Sequence, residues 1–185
     1  MTVTLRHRRN AAPLSPARTT RTRTSRLLAP VAALTVVALT LAVAGCGSSP
    51  VEIESEALDD DERAACEALV EDLPDELFGQ ERVEVSGGIG AAWGEDDPVV
   101  LTCGAPEPPE YDAFARCSEL DGVGWFIPDA QLKDPESDIS MTVLSHAPRV
   151  RLDIPAQQRF QGPDTHLRTL AAPIKEHLDE VRPCS

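Results

Sequence analysis

The first 46 residues restrict most strongly what this chain can become, because they separate a segment that is removed from a segment that folds. Residues 1–26 hold seven arginines and no acidic residue, and residues 27–45 are largely apolar and end in small side chains. A basic head, an apolar stretch and a small-residue end are typical of a secretory signal. Cys46 follows at once, where a bacterial lipoprotein signal carries the cysteine whose thiol receives the lipid.

We therefore predict a lipoprotein signal peptide over residues 1–45 and acylation of Cys46. The alternative is an uncleaved membrane helix, because the largely apolar segment 27–45 has 19 residues, about enough to span a bilayer. Pro30 and the small residues before Cys46 favour the lipoprotein. Arg8 and Arg9 leave twin-arginine export open beside the general secretory route. The expected location is the outer face of the cytoplasmic membrane, with the lipid as the contact with the membrane.

The charge of the expected mature chain excludes one class of partner. All 31 acidic residues but only ten of the 17 basic residues follow position 45, so its net charge is about −21. Such a surface repels the phosphate backbone, and we expect no nucleic-acid partner. It also repels anionic lipid, so only the acyl group should hold the protein at the membrane. Solubility alone explains the charge equally well.

Four cysteines remain once Cys46 carries a lipid, and an even set in an oxidising compartment predicts two disulfides. No C-x-x-C motif is present, so we predict no metal site and no cofactor. Of the three possible pairings we favour Cys66 with Cys103, because both fall on apolar faces of a predicted helix and strand. Cys117 would then pair with Cys184.

The pattern after the signal predicts one globular domain at 61–185 behind a flexible acidic tether at 46–60. A helix is predicted over about 61–73, capped by Asp59 or Asp60. Residues 91–93 and 98–103 predict a hairpin, and residues 86–90 a glycine-rich loop or bulged strand. Further strands are predicted around 122–127, 139–143 and 150–154, with loops at 104–112 and 128–138 and a turn at 146–148.

A second helix is predicted at the end of the domain. One apolar stripe runs along it through Leu167, Leu170, Ala171, Ile174, Leu178 and Val181. The predicted fold is α+β: an N-terminal helix, an antiparallel sheet of about four to five strands, a C-terminal helix packed on one sheet face, and two disulfides.

Several short motifs in this order resemble those of domain-of-unknown-function family 3515, a family of actinobacterial exported or lipid-anchored proteins. The motifs are Cys66-x-x-Leu69, Leu73-Pro74, Ala92-Trp93-Gly94, Pro98-x-x-Leu101-x-Cys103-Gly104, Gly122-Val123-x-Trp125 and Val150-x-Leu152-x-Ile154-Pro155. The resemblance covers about residues 62–182. It implies that the Cys66–Cys103 pair is usual in the family and that the second bridge is an addition. It carries no established activity.

The sequence contains no recognisable catalytic motif. G-x-S-x-G and H-E-x-x-H are both absent. His166 and His177 are eleven residues apart on one predicted helix, about 16 Å, which is too far for one metal ion. Ser145 and His146 are neighbours on a predicted strand end, where alternation should point them to opposite faces. We therefore predict no enzymatic activity, although an unrecognised envelope enzyme stays open.

Trp93 and Trp125 are the candidate binding residues, since glycines flank both and a strand glycine leaves the backbone open to a ligand. The competing interpretation makes them core residues. Our leading hypothesis is a non-catalytic envelope module that binds a protein or wall component. The alternative is a small-molecule or peptide binder that uses these glycine and tryptophan strands. A pocket with convergent polar groups would favour the alternative.

Overall fold

The computed structural model describes residues 49–112 and 114–182. The predicted signal peptide, the lipidation site Cys46 and the second half-cystine Cys184 lie outside these residues. The predictions made for them therefore stay predictions.

The first helix, α1 (Asp60–Glu71), begins at the cap that the sequence predicts. The Asp59 side chain accepts a hydrogen bond from the Glu62 backbone N–H at 2.9 Å, and the Glu62 side chain accepts one from the Asp59 N–H at 3.0 Å. This reciprocal pair is a capping box, which satisfies two N–H groups of the first turn. Cys66 and Leu69 form the buried face of the helix.

Two further helices follow, the short α2 (Asp129–Lys133) and α3 (Pro163–His177). The described residues also form twelve strands. In chain order they are β1 (Val51–Ile53), β2 (Glu76–Leu77), β3 (Gln80–Val83), β4 (Val85–Gly87), β5 (Ile89–Trp93), β6 (Val99–Cys103), β7 (Cys117–Leu120), β8 (Val123–Phe126), β9 (Ile139–Val143), β10 (His146–Ala147), β11 (Val150–Ile154) and β12 (Asp179–Glu180).

Eight of these strands form one antiparallel sheet in the order β2-β3-β5-β6-β11-β9-β8-β7. The predicted α+β class and antiparallel sheet are confirmed, but four to five strands was too few. The predicted hairpin is β5 with β6, and the predicted strands at 123–126, 139–143 and 150–154 lie where expected. The additional strands β2, β3 and β7 have two to four residues, so they lack the long alternation that marks a strand in sequence.

The core lies on one face of this sheet. Strand register aligns Trp93 with Val99, Leu101 with Leu152, and Trp125 with Val143, so their side chains share that face. Helices α1 and α3 contact each other, and they pack on β5 and on β7 and β8, respectively. The Cys66–Cys103 disulfide joins α1 to β6, which confirms the favoured pairing. The Cys117–Cys184 bridge stays a prediction, because Cys184 is not described.

The predicted flexible tether at 46–60 needs correction. Residues 51–53 form β1, which pairs in parallel with β4, and the Ile53 side chain is buried. The Ser55 hydroxyl donates to the Cys103 carbonyl at 2.8 Å and accepts from the Ile89 N–H at 3.0 Å. These contacts hold the segment on the domain, so the folded part begins about ten residues earlier than expected.

Three smaller expectations were also wrong. The predicted loop at 128–138 contains α2, whose five residues are too few to show a helical apolar stripe. Helix α3 ends at His177 instead of continuing to Val181, because residues 179–180 form β12 and pair with β10. That same pairing places His146 in a strand and not in the expected turn. In the last two cases a tertiary contact, the pairing of β10 with β12, overrides the local pattern.

Candidate functional site

Trp93 and Trp125 are core residues, so the expectation that they line a ligand groove needs correction. Their exposed fractions are 0% and 1%, and both belong to the apolar cluster under the helices. The Trp93 indole N–H donates to the Pro74 carbonyl at 2.9 Å. Neither ring is presented to a ligand at the surface.

The glycines beside the tryptophans serve the backbone. A side chain at Gly90 would meet the Leu101 carbonyl oxygen at 2.0 Å and the Ile53 side chain at 2.9 Å. Gly94 and Gly122 adopt φ values of +97° and +84°, the left-handed region that glycine reaches without strain. The missing side chains therefore permit close packing and turns, not the approach of a ligand.

Ser145 and His146 form a contact that the sequence argument excluded. The Ser145 Oγ lies 2.8 Å from the His146 Nδ1, and both residues are buried, at 3% and 4% exposure. Alternation of faces holds only within a regular strand, and Ser145 lies between the end of β9 and the start of β10. The expectation that the two side chains point apart was therefore wrong.

The hydrogen bonds of Ser145 fix the tautomer of His146. The Gly124 backbone N–H donates to the Ser145 Oγ at 2.7 Å. Among the described residues the one acceptor for the hydroxyl proton is Nδ1 of the ring, and placing the proton there leaves a neutral His146 with its own proton on Nε2. Burial lowers the pKa of His146; Glu180 opposes this shift and Lys175 adds to it. The ring is thus held neutral, with Nε2–H as a donor.

His146 borders a cavity of about 490 Å³, which we call the arginine cavity. The cavity collects residues far apart in the sequence, and its volume is within the range of small-molecule sites. The described lining consists of residues 56–58, Glu62, Gly104, Ala105, Glu107, Leu144, residues 146–149, Val181 and Arg182.

Two arginines give this cavity its polar character. The Arg149 guanidinium lies 3.4 Å from the Glu107 carboxylate and 3.4 Å from the Ala105 carbonyl. The Arg182 Nε donates to the Leu144 carbonyl at 3.3 Å, and its guanidinium lies 5.1 Å from the centre of the Tyr111 ring. A guanidinium has five N–H donors, so these contacts orient each head group and leave donors for a ligand.

A second cluster joins the C-terminal ends of α1 and α3. Potential ligand atoms of Asp72, Glu176 and His177 lie within 4.8 Å of one another, with the His177 Nε2 at 2.5 Å from the Asp72 carboxylate. This cluster is largely exposed, and the histidine–carboxylate hydrogen bond explains its geometry. We assign it no metal. His166 stacks on the Phe78 ring and accepts from the Phe78 N–H, which is a structural role.

Sequence reasoning missed the arginine cavity entirely. Its arginines lie on a strand-flanking turn and near the C-terminus, with no shared motif. The one sequence feature that could have pointed to the cavity is the scarcity of basic residues. Arg149 and Arg182 are two of only ten in the acidic chain after residue 45.

No helix within the described residues combines the length and the hydropathy needed to cross a bilayer. Comparison with curated proteins and with solved structures found no match. A family model described as "protein of unknown function (DUF3515)" matches residues 27–183, most of the chain. This match confirms the family that the motif order resembles. The chain belongs to the DUF3515 family.

Proposed function

We propose that this chain is a lipid-anchored binding protein of an actinobacterial cell envelope and that it holds a small ligand in the arginine cavity. The observation that carries the proposal is the cavity itself, which two arginines and a buried histidine line together. Convergent polar groups in a concave site favour a small-ligand binder over a module that docks through a flat surface. The strands that contain Trp93 and Trp125 contribute to the core of the domain and do not form the binding site.

The anchor part of the proposal rests on the sequence before the domain. Residues 1–45 have the organisation of a lipoprotein signal, and Cys46 has the position of the lipidated residue. Only four residues lie between Cys46 and Val51, the first residue of β1, so the connecting chain of five residue-to-residue steps reaches at most about 18 Å. The domain would therefore stay close to the outer face of the cytoplasmic membrane.

A second disulfide between Cys117 and Cys184 is part of the same proposal. Export to an oxidising compartment would allow four thiols to pair, and the Cys66–Cys103 bridge leaves these two for each other. The bridge would tie the chain end that follows Arg182, and so one wall of the arginine cavity, to strand β7.

The geometry at Ser145 supports binding without catalysis. Its hydroxyl is buried, is occupied by the Gly124 N–H and the His146 ring, and is not part of the cavity lining. A serine nucleophile needs its oxygen open to substrate and a base positioned to take its proton. We therefore propose that Ser145 orients His146 and does not attack a substrate.

Membrane fractionation and intact mass test the anchor. Wild type should appear in the membrane fraction with an acyl mass on Cys46, whereas Cys46→Ala should be unprocessed. The neighbouring Ser48→Ala variant is the matched control and should behave as wild type. A native protein that begins at Met1 and carries no acyl mass would overturn the anchor.

Photocrosslinking in cells tests ligand binding. A photoreactive amino acid at Ala147, which lines the arginine cavity, should capture a small molecule that mass spectrometry detects as an added mass. The same group at Leu132, in a different groove, is the control. Capture of the same protein at both positions would instead favour the docking module.

A further inference from the structure

We infer that the arginine cavity binds a small zwitterion, either a free amino acid or a short peptide. Its carboxylate would bind the guanidinium groups of Arg149 and Arg182, and its ammonium group would lie toward Glu56 and Glu107. This inference rests on the proposed binding function and specifies the chemical class of the ligand.

The first support is the charge of the lining. The cavity carries two guanidinium groups and three carboxylates, from Glu56, Glu62 and Glu107. Glu62 is already bonded to the backbone N–H of the α1 cap, and His146 is held neutral. A purely anionic ligand would meet the carboxylates, and a purely cationic one would meet the arginines. A molecule with one charge of each sign matches both sets.

The second support is the incomplete pairing of Arg149. Its contacts to the Glu107 carboxylate and the Ala105 carbonyl are both 3.4 Å, longer than the 2.7–2.9 Å usual for a charge-assisted pair. These contacts orient the Arg149 guanidinium but hold it at a longer distance than a strong ion pair would. A ligand carboxylate can therefore take a closer, two-bond contact with the guanidinium, while a ligand ammonium takes the Glu107 oxygens.

The third support is the fixed donor on His146. Ser145 holds Nδ1, so Nε2 carries the proton, and Nε2 has no hydrogen-bond partner among the described residues. Within the described chain, Trp125 has the one side-chain N or O atom that is both fully enclosed and unpartnered. The unpartnered Nε2 of His146 is therefore not fully enclosed and contacts open space. His146 lines the arginine cavity, so its Nε2–H can donate to the carboxylate or to a peptide carbonyl.

Titration of the purified full chain with four probes tests the inference. The probes are the dipeptide L-alanyl-L-alanine, its N-acetylated form, its C-terminal amide and inorganic phosphate, measured by calorimetry. The free dipeptide should bind, and removing either charge should weaken binding about tenfold or more, the usual effect of losing a hydrogen bond to a charged group. Phosphate should bind more weakly than the dipeptide.

Variants locate the binding to the cavity. Arg182→Met and Arg149→Met should each weaken dipeptide binding about tenfold or more. Arg168→Met is the matched control, since Arg168 pairs with Asp121 outside the cavity and its loss should leave the affinity unchanged. Circular dichroism checks that the variants fold, and Arg182→Lys, which keeps the charge, should retain part of the affinity.

The outcomes separate the ligand class from the binding function. Equal affinity for the dipeptide and its N-acetylated form, or tighter binding of phosphate, overturns the zwitterion. Absence of binding by all four probes, with small-molecule capture at Ala147 in cells, also overturns the zwitterion and leaves the binding function intact. If none of the four probes binds and the cavity also captures no small molecule in cells, the zwitterion and the proposed binding function are both overturned.

Discussion

The two tryptophans lie on the same face of the sheet, Trp93 in the half around β5 and β6 and Trp125 in the half around β8 and β9. The two halves differ in how the indole N–H is hydrogen-bonded. The Trp93 N–H donates to the Pro74 carbonyl, and Arg82, its partner on the neighbouring strand, donates to the Val70 carbonyl. Around Trp125 the indole N–H is buried and has no partner within the described part of the chain.

The same half of the molecule that contains Trp125 also contains Ser145, His146 and one wall of the arginine cavity. Leaving a buried donor unsatisfied costs about 1–3 kcal/mol. Natural folds keep such costs where a function requires the groups. Within the described residues the two tryptophans thus differ by one hydrogen bond: the Trp93 N–H has an acceptor, and the Trp125 N–H has none. The Gly124 N–H beside Trp125 donates to Ser145, which contacts the cavity-lining His146.

The largest expected effect lies in the half around β5 and β6. The double variant Cys66→Ala with Cys103→Ala should lower the free energy of unfolding by about 4 kcal/mol, because the bridge closes a loop of 37 residues. Urea denaturation measures the change. Reducing agent should destabilise wild type further than it does this variant. An unchanged denaturation midpoint would contradict a stabilising role of this bridge.

The second prediction compares the tryptophans directly. Trp93→Phe removes the indole donor to the Pro74 carbonyl. Trp125→Phe removes an N–H that already lacks a partner among the described residues. The two changes delete the same atoms, so Trp93→Phe should be more destabilising by about 1–3 kcal/mol. Thermal or urea unfolding of the two variants side by side gives this difference. Equal losses would show that the two indoles are equally well satisfied.

The smallest effect is the pH dependence that His146 contributes. Burial lowers its pKa in the folded state, so the unfolded chain binds its proton first as the pH falls below about 6.5. The stability that this residue contributes is complete above that pH and decreases as the pH falls toward the folded pKa. The nearby Glu180 carboxylate opposes this lowering of the His146 pKa, and the Lys175 ammonium group adds to it.

Urea denaturation at a series of pH values between about 7.5 and 5.5 measures this effect. The decrease for wild type should be larger than that for His146→Gln, which keeps a polar side chain but cannot titrate. His177→Gln removes a half-buried histidine that lies outside the cavity, and His146→Gln should have the same effect on the slope in that background as in wild type. Identical slopes for wild type and His146→Gln would show that His146 does not contribute to the pH dependence of stability.

Much of the fold was predictable because its signals are local. The capping box at Asp59 and the alternation in β5, β6, β9 and β11 depend on residues a few positions apart. The Cys66–Cys103 pairing followed from the same periodicity, since each cysteine lies on the apolar face of its own element. The composition of residues 1–46 likewise predicts export and lipidation, which await their test.

Other features could not be predicted because they depend on distant contacts. β1 forms only because β4 offers a parallel edge more than thirty residues away, and residues 179–180 leave a helical pattern to pair with β10. The glycines near the tryptophans suggested a groove, but tertiary packing fills that space with Ile53 and backbone.

The sequence by itself determined the export signal pattern, the helix and hairpin at the start of the domain, and the disulfide that joins them, because short-range periodicity fixes which side chains face inward. Only the tertiary structure decided the site. Ser145 contacts His146 because the chain leaves regular strand geometry between β9 and β10. Arg149 and Arg182 line the same cavity as Glu56 because tertiary packing brings together residues more than ninety positions apart.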